Sequence, residues 1–274
     1  MCELLAISSR QASTVTYSLP EFAMNGSALR SNRSGWGIAF ARDKDALLIK
    51  EPEPAAASPW VDFIAQQKIE SRCVIAHVRY ATRGANTLEN THPFKRALAG
   101  HMQLFAHNGT LEGIEDRVVT ETLSHEPLGE TDSELAFCLL LNRLKPIWEA
   151  AEGHPTLDDR MAIFVKFAAE MATLGPANFL YFDGDTLFAH AHRRIYEEGG
   201  RHTEPKPPGL QIRNCQHCAA QPEYACQGLK IGLHDQRTIV LASVPLDEVG
   251  WEPLPEGTAL ALRNGEEIVR ERTL

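Results

Sequence analysis

Short β-forming runs follow one another along this chain in neighbouring pairs, without a helix regularly separating each from the next. They fall at Cys2–Ser8, Gly35–Ala41, Ala46–Lys50, Cys73–Arg79, His101–His107, Asn178–Phe182, Thr186–His190 and Arg237–Ser243, with a last pair at Thr258–Leu262 and Glu267–Arg270. Parallel neighbours need a long crossover, usually a helix, whereas antiparallel ones need only a turn. The pairing therefore predicts an α/β (α+β) chain of stacked, mostly antiparallel sheets with helices outside. Arg263-Asn264-Gly265-Glu266 joins the last pair, and Asn-Gly is a strong hairpin signal because both residues tolerate positive φ.

Helical periodicity is clearest over Glu134–Leu144 and over Leu157–Leu174, which stops at Gly175-Pro176. Shorter helices are expected near Val61–Glu70 and Gly113–Leu123. There is no internal repeat. Glu197–Gln236 holds Pro205, Pro207, Pro208 and three cysteines with little periodicity, and reads as an irregular surface excursion from a single domain spanning residues 1–274.

Charge and composition exclude several classes. Thirty-six acidic against 27 basic residues give a net charge of −9, which argues against nucleic acid or anionic membrane as a partner. No apolar run reaches the roughly 18 residues that a spanning helix needs. The N-terminus lacks the basic region and apolar stretch of a secretory signal, so the expected location is cytoplasmic and the cysteines are expected as thiols or metal ligands. Cys215-x-x-Cys218, with His217, Cys226 and His234 nearby, holds enough soft ligands for zinc, but a second CxxC is absent and the spacing fits no zinc knuckle. Free thiols or an occasional disulfide are the default there; no metal or cofactor is expected.

Cys2 carries the first chemical signal. If Met1 is removed, that residue holds a soft nucleophile and a free α-amine, whose reference pKa of about 7.7–8.0 suits a general base. The plainer reading is a small apolar residue opening a buried strand. Four later segments bear on the choice. Arg79, closing a strand within His77-Val78-Arg79-Tyr80-Ala81-Thr82-Arg83-Gly84, suits a bidentate grip on a carboxylate or an ordinary ion pair. Asn90-Thr91-His92-Pro93-Phe94 follows as a polar loop. Phe105-Ala106-His107-Asn108-Gly109 ends a strand in a plain turn, or in two oxyanion donors, the Asn108 amide and the Gly109 N–H. In Gly129-Glu130-Thr131-Asp132-Ser133-Glu134, Thr131 and Glu134 form a capping box, so the segment reads either as a plain helix start or as one whose Asp132 meets a ligand ammonium.

Together and in this order, these blocks resemble the glutaminase domain of the class II glutamine amidotransferases, which are N-terminal-nucleophile hydrolases. The wording of LENTHPF and FAHNG is most similar to the stand-alone YafJ-type branch, and the resemblance extends into the stretch from Val240 to Leu262. It implies a four-layer α/β/β/α sandwich and glutamine as substrate. Cys2 would attack the γ-amide, form a γ-glutamyl thioester and release ammonia, with its own α-amine relaying protons. Asn108 and Gly109 would hold the oxyanion, Arg79 the α-carboxylate and Asp132 the α-ammonium, with Tyr80 and Thr82 shaping the pocket. Arg83 departs from the histidine of sugar-aminating relatives, and Ser34 from an acid that relatives often carry. The length leaves no room for an acceptor-using domain, so any ammonia acceptor would be a separate partner protein. Two other readings stand beside this one: a γ-glutamyl amide hydrolase acting on a thiol or amine conjugate, and an inactive glutamine-binding module.

Overall fold

A computed structural model describes residues 2–14, 22–24, 34–119, 121–199, 201–215 and 236–273. Its strands are β1 (Glu3–Thr14), β2 (Trp36–Arg42), β3 (Asp45–Glu51), β4 (Glu70–Val78), β5 (Phe94–Leu98), β6 (His101–Gly109), β7 (Ala177–Phe182), β8 (Leu187–Ala191), β9 (Glu197–Glu198), β10 (Arg201–His202), β11 (Gln211–Asn214), β12 (Thr238–Ala242), β13 (Glu252–Pro253), β14 (Thr258–Arg263) and β15 (Glu266–Arg272). The helices are α1 (Pro59–Gln67), α2 (Ile114–Val118), α3 (Asp132–Ala150) and α4 (Leu157–Ala172). One large sheet runs β13-β11-β12-β1-β4-β2-β3 and a second β15-β14-β8-β7-β6-β5, while β9 and β10 pair as a separate two-stranded ribbon, with every described pairing antiparallel.

Three apolar clusters show how these parts stack. Leu4, Ala6, Ile75 and Leu241 meet Leu104, Leu180, Ala189 and Leu260 between the two sheets. The alternate residues of the same strands, Leu5, Ile7, Ala76 and Val240, face the other way and pack on Val61 and Ile64 of α1. On the far side, Phe105, Phe179, Tyr181 and Phe188 pack on Phe137, Leu141, Phe164 and Phe167 of α3 and α4. Three buried interfaces make four layers, α/β/β/α. Covering both faces of both sheets explains why β1 opens as an unbroken buried run with no polar alternation.

Local chemistry sets the ends of the elements. Thr131 caps α3 by accepting from the Glu134 N–H at 3.2 Å, and Thr156 caps α4 by accepting from the Asp159 N–H at 3.2 Å. The β14–β15 hairpin turns on Asn264 (φ 52°) and Gly265 (φ 72°), the conformation that Asn-Gly favours. Helix α3 runs on past Leu144, through Pro146, to Ala150, because its apolar stripe continues to Trp148. The expected irregular excursion needs correction in its described part. Gln211–Asn214 is a sheet strand between β12 and β13, too short and too mixed to show a period. Cys215 is buried just after it; Cys218, Cys226, His217 and His234 lie outside the described residues. No described helix is long and apolar enough to cross a membrane.

Candidate active site

The antiparallel sheets bring the starts of β1 and β7 beside the ends of β4, β6 and β12, so distant segments converge on Cys2. Its half-buried sulfur lies against the backbone of Tyr80. The Tyr80 N–H donates to Sγ at 3.2 Å, and the thiol donates to the Tyr80 carbonyl at 3.3 Å. Burial pushes the Cys2 thiol above its ordinary value, and the Tyr80 N–H only partly offsets that. At neutral pH the group rests as a thiol and needs a base to become a nucleophile.

Asn108 is fully buried at the end of β6. Its Nδ2 donates to the Cys2 carbonyl at 2.6 Å and to Ser243 Oγ at 3.2 Å, while its Oδ1 has no protein partner. Ser243 also accepts from the Leu4 N–H at 2.9 Å, tying the first strand to the end of β12. Next to Asn108, Gly109 admits no side chain: a Cβ there would come within 1.7 Å of the Pro176 carbonyl and 2.6 Å of His107 Nε2. Only glycine lets β6 and the start of β7 close to this spacing.

Arg79 is buried, and its guanidinium points into its own loop. Nη1 donates to the carbonyls of Ser34 and Ala85 and to Asn86 Oδ1, and Nη2 to the carbonyls of Arg83 and Gly84, over 2.8 to 3.3 Å. In this arrangement it organises the loop after β4, and both terminal nitrogens already have acceptors. Asp132, at the start of α3, accepts from the Leu111 N–H at 2.6 Å through Oδ2 and from the Ser133 N–H at 2.9 Å through Oδ1. Thr82 is exposed and meets Thr110 hydroxyl to hydroxyl at 3.3 Å. Beside them the exposed pair Arg83–Glu115, 2.7 Å apart, links the loop after β4 to the first turn of α2.

A cavity of about 380 Å³ opens over the thiol, lined by Cys2, Tyr80, Thr82, Asn108, Gly109 and Glu112 among others. A recess of about 20 Å³ adjoins it, where Cys2, Arg79, Asp132, His92 and His107 meet. All seven residues singled out in the sequence therefore line one or both of these spaces. A larger hollow of about 740 Å³, bordered by Ser8, Cys73 and Leu262, lies at the other end of β1. It holds none of the seven, and its one thiol, on Cys73, is driven out of the titratable range by burial. Among the described residues no group of three or more His, Cys, Asp or Glu is placed to hold a metal ion.

Several contributors were not singled out from sequence. Ser243 and the buried Arg194–Glu3 pair, 2.7 Å apart, anchor β1, and Arg194 also donates to the Ser243 carbonyl at 2.6 Å. His107 and Ser133, 2.9 Å apart, back the Asp132 turn. His107 and Ser133 sit inside blocks that were read; Arg194 has no local signal, since its partner is 191 residues away.

The family described as class II glutamine amidotransferases matches residues 1–273. A putative glutamine amidotransferase of Escherichia coli, YafJ, is 36% identical over 200 residues, covering 72% of this chain and 75% of that one. A Haemophilus influenzae putative glutamine amidotransferase is 32% identical over 196 residues, 72% of this chain and 65% of the relative. The crystal structure of a predicted glutamine amidotransferase from Pseudomonas aeruginosa superposes with a TM-score of 0.66 at 25% identity, over 98% of this chain and all of that one. The phosphoribosylpyrophosphate amidotransferase of Bacillus subtilis shares the fold, with a TM-score of 0.60 at 17% identity, over 100% of this chain and 49% of that one. The chain belongs to the class II glutamine amidotransferases.

Proposed function

We propose that the protein hydrolyses the γ-amide of glutamine through a γ-glutamyl thioester on Cys2 and releases ammonia for an acceptor held by another protein. The observation that carries this reading is the placement of the Cys2 thiol, fixed by the Tyr80 backbone, on the wall shared by the larger cavity and the recess holding Asp132.

The chemistry follows from the resting state of the thiol. Because its pKa is raised, proton removal must accompany attack, and the α-amine freed by loss of Met1 is the base within reach. Sγ bonds to the carbonyl carbon of the γ-carboxamide, the carbonyl oxygen takes negative charge beside Asn108 and Gly109, and the C–N bond breaks as the amine passes its proton to the departing nitrogen. Water then hydrolyses the thioester in a second, equivalent passage. Asp132 receives the substrate ammonium. Arg79 shapes the loop that receives the carboxylate, and turns one N–H towards it when substrate displaces a loop carbonyl.

The cavity continues past the reacting centre to Leu174, Ile195 and Pro205, which leaves room for a substituent on the amide nitrogen. A γ-glutamyl conjugate is therefore the second reading. The deciding experiment is an ammonia-release assay on protein with mass-confirmed loss of Met1, with γ-glutamyl amides as competitors. Turnover of glutamine supports the first reading and preference for a conjugate the second. Binding without turnover would leave a glutamine sensor.

A further inference from the structure

His107 is buried between the Gly109 corner and the helix start that carries Asp132, and its ring is held at both nitrogens. Nε2 lies 3.0 Å from the Pro176 carbonyl, and Nδ1 lies 2.9 Å from the Ser133 hydroxyl. A carbonyl can only accept, so Nε2 carries the ring proton and Nδ1 is left as an acceptor. Burial lowers the imidazole from its ordinary 6.5, with the Asp132 charge opposing that shift, so the ring is neutral near pH 7. It has no room to turn. Its face packs on Phe179 with ring centres 4.9 Å apart, and a Cβ on Gly109 would come within 2.6 Å of Nε2.

This tautomer decides where the Ser133 hydroxyl points. The hydroxyl has one proton and two acceptors in reach, His107 Nδ1 at 2.9 Å and Asp132 Oδ1 at 3.4 Å. With Nδ1 bare, the proton goes to the nearer ring nitrogen. The consequence falls on Asp132. An ionised carboxylate offers about four lone-pair sites. The Leu111 N–H occupies one on Oδ2 and the Ser133 N–H one on Oδ1. The rest stay open to a substrate ammonium while the hydroxyl is turned away. A hydroxyl turned onto Oδ1 would take another site and screen the charge. A phenylalanine would fill the same space on Phe179; what the imidazole adds is an acceptor aimed at Ser133.

We propose that His107 is a positioning residue for substrate selection: its ring, protonated on Nε2, holds the Ser133 hydroxyl away from Asp132 and so keeps the carboxylate open to the α-ammonium of the substrate. The proposal rests on the glutaminase reading above. Pro176 is the anchor of the arrangement, because its carbonyl fixes the tautomer. Removing the Nδ1 acceptor therefore does its damage through the freed hydroxyl, and deleting that hydroxyl as well should repair it.

The test is steady-state kinetics on mature wild type, His107→Gln, Ser133→Ala and the double variant, with glutamine and with glutaramate, which is glutamine without its α-amine. The His107→Gln amide can reach Pro176 from the Nε2 position but leaves no acceptor at the Nδ1 position. It should raise KM for glutamine about tenfold, the worth of one hydrogen bond to a charged group, with kcat nearly kept and kcat/KM for glutaramate unchanged. Ser133→Ala should keep KM close to the wild-type value, and in the double variant KM should return towards it. His107→Phe, which keeps the shape of the ring, is the second way to remove the acceptor and should behave as His107→Gln does, rescue included. A purely structural histidine predicts the reverse, losses that add in the double variant and fall equally on both substrates. Either result overturns the proposal, as does an unchanged KM in both His107 variants, and each leaves the glutaminase reading intact. Absence of glutamate from the mature wild type overturns both.

Discussion

The side-chain amide of Asn108 donates at 2.6 Å to the carbonyl oxygen of Cys2, so the residue expected to meet the oxyanion also fixes the main chain of the nucleophile. Its second N–H has Ser243 Oγ at 3.2 Å, so both donors are engaged before substrate arrives. Charge on the oxyanion must draw one of them away. Asn108→Ala should lower kcat by about 10²–10³ with a much smaller effect on KM. Asn108→Asp should be worse, because it sets a carboxylate oxygen against the Cys2 carbonyl. Steady-state kinetics on both variants decide this, and a loss confined to KM would make Asn108 a ground-state contact.

Thiol environments predict selective labelling. Cys73 is buried and its thiol stays protonated at any accessible pH, while burial pushes Cys138 up to about 11. Among the described residues three cysteines are free, and of these Cys2 alone lines the cavity. An electrophilic glutamine analogue should add its mass only to the N-terminal peptide. Cys2→Ala should abolish turnover without changing the melting temperature appreciably, and protein retaining Met1 should be inactive. Modification at Cys73 or Cys138 would remove Cys2 from its role.

Much of this was legible in the sequence because the signals are local. Strand boundaries shifted by a few residues, yet the pairing pattern, the Asn264-Gly265 turn and the Thr131 cap all stand as read. Strand β5 was missed because Phe94–Leu98 buries only its two ends, which leaves no period to detect. The pair Arg194–Glu3 was illegible for another reason: two charges of opposite sign far apart in sequence look like ordinary surface residues until the fold buries them together. Arg79 shows the limit most clearly. Its type and position suit a carboxylate grip, but whether its N–H groups are free depends on the path of the following loop, which no spacing encodes.

That loop gives Arg79 and Asp132 distinguishable signatures. A lysine in place of Arg79 keeps the charge but cannot reach five acceptors, so Arg79→Lys should raise KM for glutamine and also loosen residues 83–86. Hydrogen exchange of that segment reads the second effect. Asp132→Asn should raise KM too, since an amide supplies no charge to the substrate ammonium. It should also narrow the preference for glutamine over its N-acetyl form. Equal kcat/KM for the two substrates in the wild type would leave Asp132 as a helix-start residue holding the Leu111 N–H.

Acid should unfold this protein through its buried histidines. Burial lowers His77 to about 3 and His190 to about 4, and it also lowers His92 and His107 from the ordinary 6.5. The unfolded chain takes up protons below 6.5 that the folded one refuses, so stability is full above that value and falls as pH drops towards 4. Each histidine contributes a slope of about 1.4 kcal/mol per pH unit, so two of them over two units cost about 5 kcal/mol, comparable with the net stability of many domains. Chemical denaturation at several pH values between 7 and 4 should show this decline. His77→Leu removes a titrating group whose nitrogens have no protein partner, so it should flatten the slope by about 1.4 kcal/mol per pH unit. At neutral pH it should leave stability equal or higher, because two unpaired polar atoms go with it. A wild-type stability independent of pH across that window would mean that these imidazoles are not held neutral in the fold.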